Sequence, residues 1–367
     1  IYETYQSLPF PRASYLTPFI LRRLLYVLTF VPRHNDTSVL RYLSIMDDMK
    51  VAHIPATNKE WNTAISLAAQ TFRRVTNAEV ESALYIWRDM EKRAGIAANE
   101  VTFNILFNMA SKANKFPLVE LILKEMTARN LPKKRAFYCC MIFHAGQLRD
   151  GDAVRRAYKD LVEAGEIVDS VVLNNVIRSL FAAGEHAAAD AIFERMKVMH
   201  QSPAGRRDPP NAYNPRRLLR SELQELAVQF RDDTQKRREV QDRAPLAPDT
   251  HTYALMIKYY ARNVGDYHRV AQLLNEMDQT GVPLARDIFH SLFIGFWLHG
   301  MRPHSTEWHA RRLDATWAEY KREWARDAAE FEMDGRTVWL FLQAVMTTGG
   351  RGKMWQVWSN EVRDRWR

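Results

Sequence analysis

The sequence repeats itself at an interval of 35 residues, and this periodicity restricts the chain to a stack of similar units. Related tetrapeptides open three apolar helical segments, at Val101–Asn104, Ala136–Cys139 and Val171–Asn174. A second shared segment follows each opening, and these segments end at Met126, Leu161 and Met196. Self-similarity at a period of about 20 to 50 residues is typical of stacked units, none of which can bury its apolar face alone. The periodicity therefore predicts an all-α solenoid of helix-turn-helix repeats with insertions.

The same frame continues on both sides with less regular spacing. Upstream, Lys59–Asn62 opens a unit and Ala83–Met90 matches its second helix, with an insertion around Arg73–Glu79 between them. Downstream, Asp249–Ala254 opens a unit, and Phe289 lies 35 residues beyond Ala254. We therefore expect an extended N-terminal arm (residues 1–14), repeats (15–199), a basic insertion (200–248), and repeats with tryptophan-rich capping helices (249–367).

Residues 200–248 interrupt the period with several prolines and a charged helix near Leu218–Val240. The segment is basic, with ten Lys or Arg against seven Asp or Glu. A solvated helix with flexible flanks and a docking element for RNA or protein both fit this composition. The C-terminal tryptophans leave a similar choice. Eight of the ten lie after residue 296, where capping and core packing or a docking surface for a protein would each use them.

The net charge indicates which partners the protein favours, and the cysteine content indicates which compartment it suits. The formal net charge is +9 and the pI about 9.5, which favours polyanionic partners. The two cysteines, Cys139 and Cys140, are adjacent, so neighbouring side chains on one helix cannot form a disulfide framework or a zinc site. A reducing intracellular compartment fits this content.

The sequence lacks the features that a membrane span or a catalytic site requires. The apolar run Tyr15–Val31 contains Arg22 and Arg23, so we expect a core helix there and no membrane span. His299, His304 and His309 are spaced by five residues, which does not place them on one helical face, so we expect no metal site. No phosphate-binding glycine loop or nucleophile elbow is present. We expect a protein that is not an enzyme and needs no cofactor.

The repeat length and the Val-Thr-Phe-Asn opening resemble the pentatricopeptide repeat family. The tetratricopeptide repeat is the nearest alternative, but its Trp/Leu-Gly/Tyr pattern is missing from every unit. The resemblance implies a right-handed superhelical solenoid that binds single-stranded RNA, with one base contacted per repeat. It also implies a role in organellar gene expression.

The family's RNA-binding positions can be carried over onto this sequence. Its base-facing position corresponds to Asn62, Asn104, Cys139, Asn174, Ala254, Phe289 and Trp339. Its second specificity position, which closes each unit, corresponds to Asn99, Lys134, Asp169 and Leu284. Residues that sandwich a base would be Val101, Ala136 and Val171, then His251, Arg286 and Arg336. Lys112 and Arg262 share a position suited to phosphate binding.

Only Asn62 with Asn99 forms a recognisable base-reading pair, of the pyrimidine type, whereas Ala254 with Leu284 offers no hydrogen bond to a base. Asparagines at helix starts also serve as local caps, and this alternative stays open for each of them. Resemblance to the family places the protein in the mitochondrial matrix, where it would stabilise, process or activate translation of transcripts. The alternatives are a structural or assembly subunit of the mitochondrial ribosome, which binds ribosomal RNA and neighbouring proteins, and a pure protein scaffold.

Overall fold

The computed structural model describes residues 1–29, 36–69, 75–200, 206–211, 213–300 and 307–363, and within these ranges it contains helices and turns but no strand. The chain divides into two compact units, Ile1–Ala164 and Gly165–Arg367. The predicted all-α helical-repeat fold is confirmed. No helix in the described ranges combines the length and apolar character needed to cross a bilayer.

The first unit is a series of helix pairs. Its helices are α1 (Tyr2–Gln6), α2 (Pro18–Leu28), α3 (Asp36–Val51), α4 (Asn58–Ala68), α5 (Asn77–Lys92), α6 (Glu100–Lys112), α7 (Phe116–Ala128), α8 (Arg135–Gln147) and α9 (Gly151–Glu163). The first helix of a repeat packs against its own second helix, as α4 does on α5, α6 on α7 and α8 on α9. First helices also contact one another along the series, α4 with α6 and α6 with α8.

Helical periodicity produces the core of this unit. On α7 the buried side chains are Val119, Ile122 and Met126, spaced by three and four residues, so they share one helical face. Buried apolar side chains from Tyr5 to Phe137 form one continuous cluster. Each repeat therefore buries its apolar face against its neighbours, as the periodicity predicts.

Local signals in the sequence set the helix ends. Thr57 and Thr76 begin α4 and α5 with capping boxes, in which Glu60 and Glu79 each accept a hydrogen bond from the threonine backbone N–H at 2.6 Å. In the second unit, Gly281 ends a helix with φ 67°, a left-handed conformation that favours glycine.

The second unit repeats this plan around an insertion. Its helices are α10 (Ser170–Ala183), α11 (His186–His200), α12 (Tyr213–Gln229), α13 (Thr234–Arg243), α14 (Thr250–Tyr259), α15 (Tyr267–Thr280), α16 (Arg286–His299), α17 (Ala310–Arg326) and α18 (Gly335–Val357). The first helices α10, α14, α16 and α18 contact one another in that order. A π-helical turn, Tyr260–Val264, follows α14, and α18 is broken at Gly350, where φ is 79°.

The N-terminal residues differ from the expected extended arm over residues 1–14. They contain α1 and a 3-10 turn at Arg12–Tyr15, and Tyr5 and Ala13 are buried. The Tyr5 hydroxyl donates a hydrogen bond to Asp48 on α3 at 2.8 Å. The segment folds because it has its own apolar side chains to bury. The insertion expected at Arg73–Glu79 is also shorter, because α5 already begins at Asn77, and residues 70–74 lie outside the described ranges.

The 200–248 insertion belongs to the second unit and packs against it. The single charged helix expected near Leu218–Val240 is two helices, α12 and α13, with Asp233 capping the second. Leu223, Ala227 and Ala244 are buried together with Ile167, which precedes α10. Gln241 also donates to the Val168 carbonyl at 2.8 Å and accepts from the Val168 N–H at 2.7 Å. The described part of the insertion therefore packs against the second unit through α12 and through the contact of Gln241 with Val168.

The packing of α12 can be tested by removing one buried side chain. We expect Leu223→Ala to lower the free energy of unfolding by about 2–4 kcal/mol, because Leu223 is only 4% exposed and its loss leaves a cavity. Leu218→Ala on the same helix is the control, since Leu218 is 71% exposed and its substitution should change stability by less than about 0.5 kcal/mol. Urea unfolding followed by circular dichroism measures both. Equal effects from the two variants would contradict the packing of α12.

Candidate functional site

The first helices α6, α10, α14 and α18 share one arrangement, which becomes clear when residues are counted from the N-cap, the residue before the helix. The N-cap side chains accept hydrogen bonds from the backbone N–H at position three, in the pairs Asn99–Thr102 (3.1 Å), Asp169–Val172 (3.0 Å), Asp249–Thr252 (2.8 Å) and Asp334–Thr337 (2.8 Å). Position four carries a buried apolar residue, such as Phe103, Tyr253 or Val338. Positions two, five, nine and thirteen lie three or four residues apart and so share another face. We call this face the position-five face.

In the first unit, position five of α4 is tied to the start of α6. The Asn62 amide donates to Asn99 Oδ1 at 3.2 Å, and the Thr102 hydroxyl donates to Asn62 Oδ1 at 2.6 Å. The sequence paired Asn62 with Asn99, and the structure brings these two side chains together. The same Asn99 oxygen caps α6, which is the local capping role that the sequence left open, and base reading by this pair stays a prediction.

In the second unit, the corresponding tie joins Asn174 on α10 to Asp249, the N-cap of α14. The Asn174 amide donates to Asp249 Oδ1 at 3.0 Å, although the two residues are 75 positions apart in the sequence. Sequence reasoning did not assign a partner to Asn174, because the insertion separates it from the next repeat. The Pro-Asp-Thr-His-Thr opening at Pro248–Thr252 was the signal that could have identified Asp249.

Asn104 and Lys134 do not form the equivalent pair. The Lys134 ammonium contacts Glu100 Oε1 at 2.5 Å, and this bond holds the pKa of the Glu100 carboxyl below its usual value. Asn104 is half-buried, and its Oδ1 is buried without a hydrogen-bond partner. Asn104 and Asn174 both have a carboxamide oxygen without a hydrogen-bond partner, but only the Asn174 amide is bonded to the start of the next first helix. Val101, at position two of the same helix, is 45% exposed.

The repeat frame slips by one residue before α16, which corrects three of the carried-over positions. Asp249 caps α14 and Ala285 caps α16, a spacing of 285 − 249 = 36 residues instead of 35. Phe289 consequently occupies position four and is 2% exposed in the core, and His290 occupies position five. The ring Nε2 of His290 lies 2.8 Å from the Thr337 hydroxyl, which sits at position three of α18. The closing position is Ala285 in place of Leu284, and position two is Asp287 in place of Arg286.

Exposed cations lie on the position-five face of both units. Lys112, at position thirteen of α6, is exposed in the first unit, and Arg262, at position thirteen counted from Asp249, is exposed in the second. Arg262 lies in the π-helical turn, so equal sequence spacing does not give the two residues the same angle around the helix. The second unit adds exposed Arg178 and Lys258 at position nine, which sequence reasoning missed. Of the groups named here, only Asp287 contributes an exposed acid to this face.

Within the described ranges, no group of three or more His, Cys, Asp or Glu residues could hold a metal ion. His304, one of the three histidines considered in the sequence, lies outside those ranges. The position-five face includes hydrogen-bonded asparagines, exposed cations, the acid Asp287, the apolar Val101 and, at Trp339, an aromatic ring. Such groups bind by hydrogen bonding, charge and stacking.

The family model for the PPR repeat, the pentatricopeptide repeat, matches residues 101–131 and 171–200. These segments begin at position two of α6 and α10, so the matched segments and the first helices share one register. The resemblance found in the sequence is thereby confirmed over these repeats. No curated protein sequence matches the chain.

Solved structures of pentatricopeptide repeat proteins resemble the fold at low sequence identity. The PPR domain of Arabidopsis thaliana protein-only RNase P 1, solved in complex with tRNA, has 13% identity and a TM-score of 0.36, and the match covers 56% of this chain and 97% of that domain. Maize PPR10 has 16% identity and a TM-score of 0.33, and the match covers 93% of this chain and 52% of PPR10. The PPR10 complex with an 18-nt psaJ RNA element has 16% identity and a TM-score of 0.36, and the match covers 99% of this chain and 53% of PPR10. This chain thus spans about half the length of PPR10.

The contact between Lys134 and Glu100 leads to a prediction about how the stability of the protein depends on pH. Because the folded-state pKa of Glu100 is lowered, its contribution to stability is present above the pKa of the unfolded chain and is lost as the pH falls through the folded value. Lys134→Met should raise the Glu100 pKa toward 4.5 and reduce the loss of stability on acidification below about pH 5. Urea unfolding between neutral and acidic pH tests this. Lys124→Met, which replaces an exposed lysine on α7, is the control, and an identical pH profile for both variants would disprove the coupling.

Proposed function

Because this chain contains pentatricopeptide repeats, we propose that it is an RNA-binding protein of organellar gene expression. The observation that carries the proposal is the position-five face, on which paired polar side chains lie beside exposed lysines and arginines. Single-stranded RNA is recognised by this combination, since the cations neutralise phosphates and the polar side chains reach base edges. The net charge of +9 acts in the same direction.

The state of the fifth-position side chains indicates how such binding would divide between phosphates and bases. Asn62 and Asn174 are 7% and 3% exposed and are already hydrogen-bonded within the protein. A base must break these bonds to be read, and each one contributes about 0.5–1.5 kcal/mol. The Asn104 carboxamide makes no such bond to the start of α8, so it can turn toward a base at lower cost. Binding is therefore mainly electrostatic, with base contacts concentrated near Asn104 and Val101.

We place this activity in the mitochondrial matrix, where the protein acts on transcripts by stabilising them, processing them or activating their translation. In this proposal the chain works by binding, without a catalytic centre or a cofactor. The basic character of the chain and its repeat family support the assignment.

Direct RNA binding by the full chain tests the proposal. Lys112→Ala with Arg262→Ala should weaken binding to every labelled single-stranded RNA and reduce the slope of log K against log salt by about 1.4, or 0.7 for each lost phosphate contact. Asn104→Ala should weaken binding by about 1–3 kcal/mol in a sequence-dependent way, by analogy with base readout elsewhere.

The matched control replaces Lys159 and Arg322 by alanine, since each is 72% exposed and lies on a second helix, one in each unit. This variant has the same charge as the test variant. If it lost as much affinity, net charge would account for binding and the position-five face would not.

A second candidate function is a structural or assembly subunit of the mitochondrial ribosome. The observation in its favour is that the amide ties at Asn62 and Asn174 are satisfied internally, so the repeats suit recognition of RNA backbone better than base-by-base reading. The packed insertion of the second unit would then present a firm surface to neighbouring proteins. Ribosomal RNA and ribosomal proteins would be the partners.

Sedimentation distinguishes the two functions. A tagged full chain in a mitochondrial lysate should remain free of ribosomal subunits at high salt if it acts on transcripts, and crosslinking should recover discrete messenger RNA sites. Comigration with a subunit at high salt, with crosslinks to ribosomal RNA, would reject the first function and support the second.

A further inference from the structure

A groove lies between two second helices of the second unit, α15 and α17. Its volume is about 1090 Å³, and residues of both helices, of α16 and of the turn Gly281–Ala285 line it. Asn211, Arg216 and Thr250 complete the lining. A cleft of this volume can take in several side chains of a partner. We call it the α15–α17 groove.

The floor of the α15–α17 groove is apolar. Phe289 and Phe331 are buried beneath it and pack edge to face, with ring centroids 5.9 Å apart. Three further apolar side chains line the groove and are only partly buried, namely Leu274, Val282 and Leu284. Contact with apolar side chains of a partner would remove this surface from water, which is favourable.

The charged residues of the groove are mainly acidic, although the chain as a whole has a net charge of +9. Five carboxylates and two guanidinium groups line the groove, from Asp278, Glu319, Glu323, Asp327, Glu330, Arg216 and Arg326. The lining therefore has a formal charge of 2 − 5 = −3. Of the two arginines, Arg216 also lies 3.9 Å from Asp249, which takes up part of its charge. A cationic partner complements this lining.

Two of the acids lie on one face of α17, where they repel each other. Glu319 and Glu323 are four residues apart, and like charges at this spacing destabilise a helix. Arg322 pairs with Glu319 but is 72% exposed. Arg326 lies 3.5 Å from Glu323 and is 80% exposed. Because such exposed pairs contribute little to stability, a cationic partner accounts for the two acids better than the stability of α17 does.

The α15–α17 groove and the position-five face lie on different sides of α16. The groove contacts Ile288, Phe289 and Leu292, which occupy positions three, four and seven. The position-five face uses positions two, five, nine and thirteen. With 3.6 residues per turn, the centres of these two sets are close to half a turn apart. A partner in the groove therefore leaves the position-five face of α16 uncovered.

We propose that the α15–α17 groove binds a basic amphipathic helix of a partner protein, an inference that does not depend on RNA binding. Amphipathic helices bind apolar grooves through anchor side chains spaced by three and four residues. Here the anchors contact the apolar floor, and the flanking lysines or arginines pair with Asp278 on α15 and with Glu319 and Glu323 on α17. The acidic lining opposes a nucleic acid as the occupant, because it repels phosphates.

Peptide selection on the full chain tests the proposal. A display library of random 15-residue peptides should yield binders in which apolar residues recur at helical spacing between lysines and arginines. Serine in place of the apolar anchors of such a peptide should raise its Kd roughly 10-fold or more. The variant Asp278→Asn with Glu323→Gln and Glu330→Gln should raise Kd roughly 3-fold to 100-fold, the range expected for the loss of three exposed ion pairs.

The matched control is Glu225→Gln with Glu239→Gln and Asp242→Asn. These residues are exposed on α12 and α13 in the same unit, and the variant changes the net charge by the same amount. The Kd of the selected peptides should stay within about 2-fold of the wild-type value in this variant, because the acids lie outside the groove.

Three results would overturn the proposal. They are a selection without binders, binders that lack basic residues, and equal effects of the two triple variants on peptide affinity. Sedimentation velocity adds a further criterion. If the wild type self-associates and the groove variant does not, a second copy of the chain occupies the groove and the proposal is rejected. RNA affinity enters none of these criteria, so this inference and the RNA-binding function can fail separately.

Discussion

At three junctions between neighbouring first helices, a hydrogen bond from position five of one helix to the start of the next helps to hold the register of the repeats. Asn62 makes it to Asn99, Asn174 to Asp249, and His290 to Thr337. These side chains are almost fully buried, so each must find a partner or destabilise the fold. A slip of one residue between two first helices would separate the paired groups and expose the apolar residue at position four. Register is therefore fixed by polar pairs as well as by apolar burial.

The same pairing limits what the repeats can recognise. A carboxamide that holds its neighbour is not available to a base unless the neighbour finds another partner. In the RNA-binding function that we propose, base specificity concentrates where the bond to the next helix is missing, as at Asn104. Under that proposal, stability and base recognition draw on the same atoms of this fold.

Periodicity predicted the helix pairs because each repeat packs only against its neighbours, so local sequence contains most of the information. Periodicity did not predict the start of α16, because there is one extra residue between Asp249 and Ala285. The sequence gives no sign of this residue, and only the packing shows that Phe289 is buried. The partner of Asn174 was missed for a different reason, because it lies beyond an insertion. The prediction of an extended N-terminal arm was wrong because the contact between Tyr5 and Asp48 spans 43 residues and has no periodic signature.

The insertion explains how the second unit keeps its repeat geometry despite the extra chain. The Gln241 side chain bonds both polar atoms of the Val168 backbone, and the Ser170 N–H donates to the Pro245 carbonyl at 2.8 Å. These hydrogen bonds hold the end of the insertion beside the start of α10. Asp249 can therefore cap α14 within hydrogen-bond distance of Asn174. Loop closure costs rise only slowly with length, so a long excursion is tolerated once its ends are fixed. The break in period interrupts the sequence while α10 and α14 still pack as adjacent first helices.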